Sequence, residues 1–331
     1  GALVSDDLIA FHGAMAAGGV GMTTVAYCAV SRGGRTDDSA LWMRPEAVPG
    51  LRRLTEAVHA EGGCIVLQLM HVGRAASQHN KPAGAATVAP SALRARTQVF
   101  SGAAGLVDTD EPQALTLQGI DEAIEDYRQA ALNARLAGFD GVELHCTSGY
   151  LPMQFMASGS NQRSDAYGGD VTGRVRFAKE VIEAMASAIG AGRVGFRLCP
   201  GNPYNDIDDQ DPAATAAALC EAVAPLGLAY LHIMRSPLAD LNAFALARQH
   251  SPHALILNDG FDGPSASAAL ASGEGAAVSF ARHFIANPDL VERLKRGLPL
   301  TRFDRKTLYT PGSAGYSDYP AYQANAQEVA Q

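Results

Sequence analysis

The sequence has no CxxC pair, and its five cysteines, Cys28, Cys64, Cys146, Cys199 and Cys220, are an odd number. That argues against a zinc site and against a disulfide framework, and it points to a reducing, cytoplasmic setting. Basic charge is also scarce. Lys and Arg total 26 against 34 Asp and Glu, giving a net charge of −8, which does not suit a general binder of nucleic acid or membrane surfaces. Apolar runs are broken by Gly, Pro or a charge before they could span a bilayer. No charged-then-apolar leader opens the chain, so no signal peptide is expected. A GxGxxG turn is missing too, which counts against a doubly wound dinucleotide-binding sheet.

What is present is a large globular chain. It has 331 residues, of which 47% are hydrophobic, enough to bury a sizeable core. Its 34 glycines follow no collagen period and read as tight turns. The spacing predicts a helix over 5–17, with Asp6 and Asp7 early and Leu8, Ile9, Phe11 and Met15 recurring. A strand follows over 20–30, then a helix from Pro49 to about Glu61, then a strand over 64–70. Residues 75–119 read as an irregular excursion over the mouth of the fold. A helix over 120–136 leads to a buried strand at 141–145 and a long polar loop over 158–170. A loop of that length is either functional or disordered. Further strands near 194, 229, 255 and 277 alternate with helices.

Strict alternation means a parallel sheet with helices outside. Several strands end in reactive groups: Gln68, His145, Arg197, Asp259-Gly260 and Arg282. Chemistry gathered from many strands at their C-terminal ends marks a (β/α)8 TIM barrel, an α/β fold. Seven strands can be counted where such a barrel needs eight. The first strand is therefore expected ahead of Gly1, absent from this chain.

Taken singly, the candidates have structural readings. Gln68 could be a satisfied core amide, Arg197 half of a buried ion pair, His145 a core histidine, and Arg282 a helix cap or a partner of Asp289. Cys146 beside His145 suggests a nucleophile pair, but adjacent strand residues point to opposite faces. Asp206, Asp208, Asp209 and Asp211 look like a cation loop, yet such a loop would want Gly at Asp211 and Glu at Ala217. They read as a solvated turn.

In combination the motifs carry more. LQLMHVGR at 67–74, GFDGVELHCTSGYLPMQF at 138–155, NQRSDAYGG at 161–169, GRVRF at 173–177, VGFRLCP at 194–200, FARHFIANPDL at 280–290 and GYSDYP at 315–320 together resemble the Old Yellow Enzyme family of FMN-dependent ene-reductases. The likeness covers nearly the whole length. It implies a single FMN-binding barrel domain over 1–331, with 301–331 a C-terminal tail lining the site. It further implies reduction of the activated C=C bond of an α,β-unsaturated carbonyl or nitro compound, with NAD(P)H as reductant. A small-molecule enone or nitroalkene is the expected partner, with no nucleic acid, membrane or metal, and the protein is a monomer or homo-oligomer.

Residue by residue, the resemblance assigns FMN contacts to Gln68, Arg197 and the backbone of Tyr27. It assigns the phosphate to Gly260, Ala281 and Arg282, with Ala281 standing where the family has Gly. His145 resembles one member of a pair that binds the substrate oxygen. The other member, His or Asn in the family, is Ser148 here, a shorter and weaker donor. Tyr150 resembles the proton donor, and Tyr316 a tyrosine lining the substrate pocket. Two other readings remain: a flavin-free phosphate-binding barrel isomerase or aldolase, and an inactive flavin-binding homologue.

Overall fold

The computed structural model describes residues 4–37, 40–307 and 312–322. Helix α1 (Asp6–Ala17) begins where the Ser5 hydroxyl accepts the Leu8 amide, with Asp6 and Asp7 in its first turn, as a positive N-terminus selects. Strand β1 (Met22–Ala29), helix α2 (Val48–Ala60) and strand β2 (Cys64–Met70) follow. The excursion after β2 is less irregular than the sequence suggests. It holds β3 (Val88–Ala89), β4 (Gln98–Ser101), β5 (Gly105–Asp108) and β6 (Gln113–Ala114), with β4 and β5 an antiparallel hairpin and β3 paired to β6. Segments of two to four residues are too short to show a period.

Helix α3 (Leu117–Leu136) is capped by Thr116 and runs into strand β7 (Gly141–Cys146), which is buried at all six positions. One turn, α4 (Leu151–Met156), precedes α5 (Val171–Ile189), whose cap is Asp170. Then come β8 (Val194–Leu198), α6 (Pro212–Val223), β9 (Tyr230–Met234), α7 (Ala243–His250), β10 (Ala254–Asn258), α8 (Gly263–Ala271), β11 (Ala277–Ser279), α9 (Arg282–Ala286) and α10 (Leu290–Arg296).

Seven of these strands form one parallel sheet in the order β1-β2-β7-β8-β9-β10-β11. Each strand lies beside its predecessor, the wiring of a (β/α)8 barrel. β1 and β11 are the two edges, and no strand among the described residues joins them. The helical layer meets there instead: Met15 of α1 packs with Phe284 and Leu290 from α9 and α10. Leu67, Leu69, Leu144, Phe196 and Leu231 point outward from the strands into a core with Ile120, Tyr127, Phe177 and Ile182.

The register sets what meets inside the sheet. Gln68 pairs with Glu143, and Arg197 with both His145 and His232. Gly195, opposite Glu143, has no room for a side chain because the Tyr230 ring occupies that space. The long loop over 158–170 is an ordered brace rather than part of the site. The Asn161 amide donates to Phe155 O at 2.6 Å and Tyr167 O at 2.7 Å, and Arg163 donates to Pro90 O and Leu115 O while pairing with Asp165. No helix among the described residues is long and apolar enough to cross a membrane.

Candidate active site

Inside the sheet, six strands contribute to one polar chain. Gln68 Nε2 donates to Glu143 Oε1 at 2.7 Å, and Glu143 Oε2 lies 2.9 Å from His232 Nδ1. A carboxylate only accepts, so Nδ1 carries the proton and Nε2 is the acceptor. Nε2 faces Ser279 Oγ at 2.7 Å, and Arg197 Nη1 lies over the ring, 2.6 Å from Nε2 and 2.9 Å from Nδ1. Arg197 Nη2 donates to Asn258 Oδ1 at 2.7 Å. Burial, the largest influence on Glu143, raises its pKa, but His232, Arg197 and Gln68 outweigh it and hold the carboxyl at about 2. Burial lowers the pKa of His232 and that of Arg197. The chain therefore contains one anion, one cation and a neutral imidazole.

Above it, at the C-terminal ends of the strands, stand His145 and Tyr150, with ring centroids 5.2 Å apart. His145 is buried, and its Nδ1 has no hydrogen-bond partner. Burial and then the Arg197 charge push this imidazole down to about 3, so it is neutral at working pH. Tyr27 faces Tyr150 at 6.5 Å, and its phenol is 2.6 Å from Thr36 Oγ1. Ala26 and Tyr27 together oppose the single residue Gln68, because the β1–β2 register shifts between Val25 and Cys28. This bulge takes the Tyr27 backbone out of the ladder. Ser148 has φ +60°, and its carbonyl accepts Asn205 Nδ2 at 2.8 Å. Cys146 points away into the core, and burial holds its thiol well above its ordinary pKa, so it is no thiolate partner of His145.

Gln154 ties the two mouth loops together. Its Oε1 accepts the Arg74 amide at 3.0 Å, and its Nε2 donates to Val72 O at 2.9 Å and Gly149 O at 2.7 Å. Gly73, at φ +60°, lies so close that a Cβ would strike the Gln154 carboxamide. The HVGR turn and the turn bearing His145 and Tyr150 are thereby locked together.

At the far side, Asn258 pairs with Ser279. That pairing sets the Asp259-Gly260 turn beside Ala281-Arg282, where α9 begins. Gly260 is left-handed at φ +74°. Two adjacent loops with exposed backbone and one guanidinium suit a phosphate dianion.

Tyr316 lies elsewhere. It stacks on Phe11 of α1 at 4.2 Å, while Ser317 Oγ is 3.4 Å from Asp7 Oδ1. No ring contact joins Tyr316 to His145 or Tyr150 among the described residues. The rest of the described tail packs on α10: Arg293 donates to Pro320 O, and the Tyr322 amide donates to Asp289. Residues 308–311 and 323–331 of the tail fall outside the described residues. Three of the four aspartates of the β8–α6 loop are engaged structurally through their side chains. Asp206 pairs with Arg74 and Arg96, Asp209 with Arg174, and Asp211 caps α6. Glu143 and His232 are the site residues that sequence reasoning missed. The available signal was a charged or titratable residue inside an otherwise apolar strand.

Residues 1–301 match the family model described as NADH:flavin oxidoreductase / NADH oxidase family. The chain is 39% identical over 283 residues to a probable flavin mononucleotide-dependent alkene reductase of Leishmania infantum, covering 83% of this chain and 77% of that protein. It is 33% identical over 301 residues to 12-oxophytodienoate reductase 2 of Arabidopsis thaliana, covering 88% and 80%. Among solved structures, morphinone reductase in complex with tetrahydroNAD superposes with a TM-score of 0.92 at 37% identity, covering 97% of this chain and 90% of that one.

Proposed function

The chain belongs to the NADH:flavin oxidoreductase / NADH oxidase family and is an FMN-dependent oxidoreductase that reduces activated C=C bonds; we propose how its own residues divide that work. Bound FMN would supply the hydride chemistry between NAD(P)H and the β-carbon of an α,β-unsaturated carbonyl or nitro compound. The donor set fits that group. Gln68 and Arg197 would hold its polar ring edge, the Tyr27 backbone would face the ring, and Gly260, Ala281 and Arg282 would hold its phosphate. The fixed charge of Arg197 suits an anion developing at that edge.

The observation that carries the substrate assignment is the buried, unpartnered Nδ1 of His145 beside Tyr150. A buried polar atom without a partner is costly, and a substrate carbonyl or nitro oxygen would satisfy it. Ser148 supplies a second, shorter donor on the same loop. Tyr150 delivers a proton to the α-carbon as the β-carbon is reduced. The five unpaired cysteines support a cytoplasmic setting.

The visible absorption spectrum of the purified protein tests this reading. A flavin band is expected that bleaches under anaerobic NADPH or NADH and returns when cyclohexenone is added. A colourless protein that refuses added FMN would overturn it.

A further inference from the structure

Glu143 has no exposed surface, yet it carries a full negative charge at the centre of the sheet. A buried carboxylate is expensive, and an apolar residue would suit a β7 strand whose neighbours are Val142 and Leu144. Its contacts show what it does. Because it can only accept, Gln68 must turn Nε2 toward it at 2.7 Å, which leaves Gln68 Oε1 facing the other way, toward whatever donor a ligand presents. Because it accepts the Nδ1–H of His232, the opposite nitrogen is left to accept from Ser279 Oγ at 2.7 Å, and the ring is held where Arg197 Nη1 lies over it, 2.9 Å from Nδ1 and 2.6 Å from Nε2. One carboxylate thus selects an amide orientation on β2 and an imidazole tautomer on β9.

We infer that Glu143 is a positioning residue for the cofactor site: it orients Gln68 directly and Arg197 through His232, and its charge sets how readily the bound flavin is reduced. This rests on the flavin contacts proposed above for Gln68 and Arg197. The cation of Arg197 is balanced from beneath by Glu143, so the site presents a tempered positive charge to an anionic reduced ring. Without the carboxylate, Arg197 is unbalanced in a medium of low dielectric and favours the reduced state.

The test is the midpoint potential of bound FMN in the holoenzyme. Glu143→Gln should retain the flavin spectrum and shift the equilibrium about tenfold toward the reduced form, an upward move of about 30 mV for a two-electron couple. Glu143→Asp keeps the charge and should stay within about threefold of the parent, a rescue that a merely steric role does not predict. An unmoved potential in Glu143→Gln, or equal shifts in both variants, would overturn the inference while leaving the ene-reductase reading intact. If Glu143→Gln does not fold, infrared difference spectra of the native holoenzyme, oxidised against reduced, carry the test. No protonated carboxyl band is expected, and one appearing on reduction would show that the charge is not retained. A native protein that takes up no FMN would sink both the functional reading and the inference.

Discussion

At the residue scale, Tyr150 and His145 divide the chemistry. Their rings are 5.2 Å apart, and only the phenol can give up a proton, since the imidazole is already neutral with its pKa near 3. Tyr150→Phe should therefore slow enone reduction by about 10²–10⁴-fold while leaving flavin reduction by NAD(P)H within about twofold of the parent. Stopped-flow measurement of the two half-reactions checks this, and equal losses in both would remove Tyr150 from its role. Much of this site was legible: Gln68, His145, Tyr150 and Arg197 all reach one side of the sheet. Glu143 and His232 were not, because a strand pattern shows which residues alternate but not which facing strands exchange hydrogen bonds. Tyr316 was placed by its motif alone, and the structure puts it on Phe11. A motif in a tail carries no information about the direction in which the tail folds back.

At the element scale, the alternation of apolar runs and caps gave the seven strands and the long helices to within a few residues. It missed α4 and β3 to β6, which are ordered by tertiary hydrogen bonds and are too short to show a period. Gln154 is the instructive case. It sits in α4, fully buried, and three backbone groups from two loops depend on its carboxamide. Nothing in its neighbours Met153 and Phe155 marks it as different from a core position. Gln154→Leu would keep the volume and leave the Arg74 amide and the Val72 and Gly149 carbonyls without that partner. Each orphaned buried group costs about 1–3 kcal/mol, so a loss of at least about 2 kcal/mol is expected in urea unfolding. A midpoint equal to that of the parent would mean that water replaces the amide and that the two turns are not locked through it.

At the scale of the whole molecule, five imidazoles lie buried, His12 behind β1, His71 in the HVGR turn, His145 at the mouth, His232 inside the sheet and His253 just ahead of β10, and burial lowers the pKa of each. Burial lowers His12 to about 4, and His71 and His145 to about 3, with Lys81 adding to the effect on His71 and Arg197 to that on His145. In the unfolded chain each titrates near 6.5. Above that value both states are neutral and there is no penalty. Between 6.5 and the folded value the unfolded chain binds the extra proton, so stability must fall as pH falls. The slope is about 1.4 kcal/mol per pH unit for each imidazole once pH is well below 6.5. At pH 5 His12, His71 and His145 should each cost about 2 kcal/mol. Glu143, held at about 2 when folded, adds a loss of the same sign at lower pH, because it is protonated in the unfolded chain first. The holoenzyme should therefore unfold in markedly less urea at pH 5 than at pH 7, and the change should begin below pH 6.5 rather than in the carboxylate range. His12→Gln, remote from the proposed flavin contacts, should reduce that pH dependence by its own share, about 2 kcal/mol between pH 7 and pH 5, if the sites act independently. Equal urea midpoints at pH 7 and pH 5 would mean that these imidazoles are reached by water in the folded protein and carry their protons there.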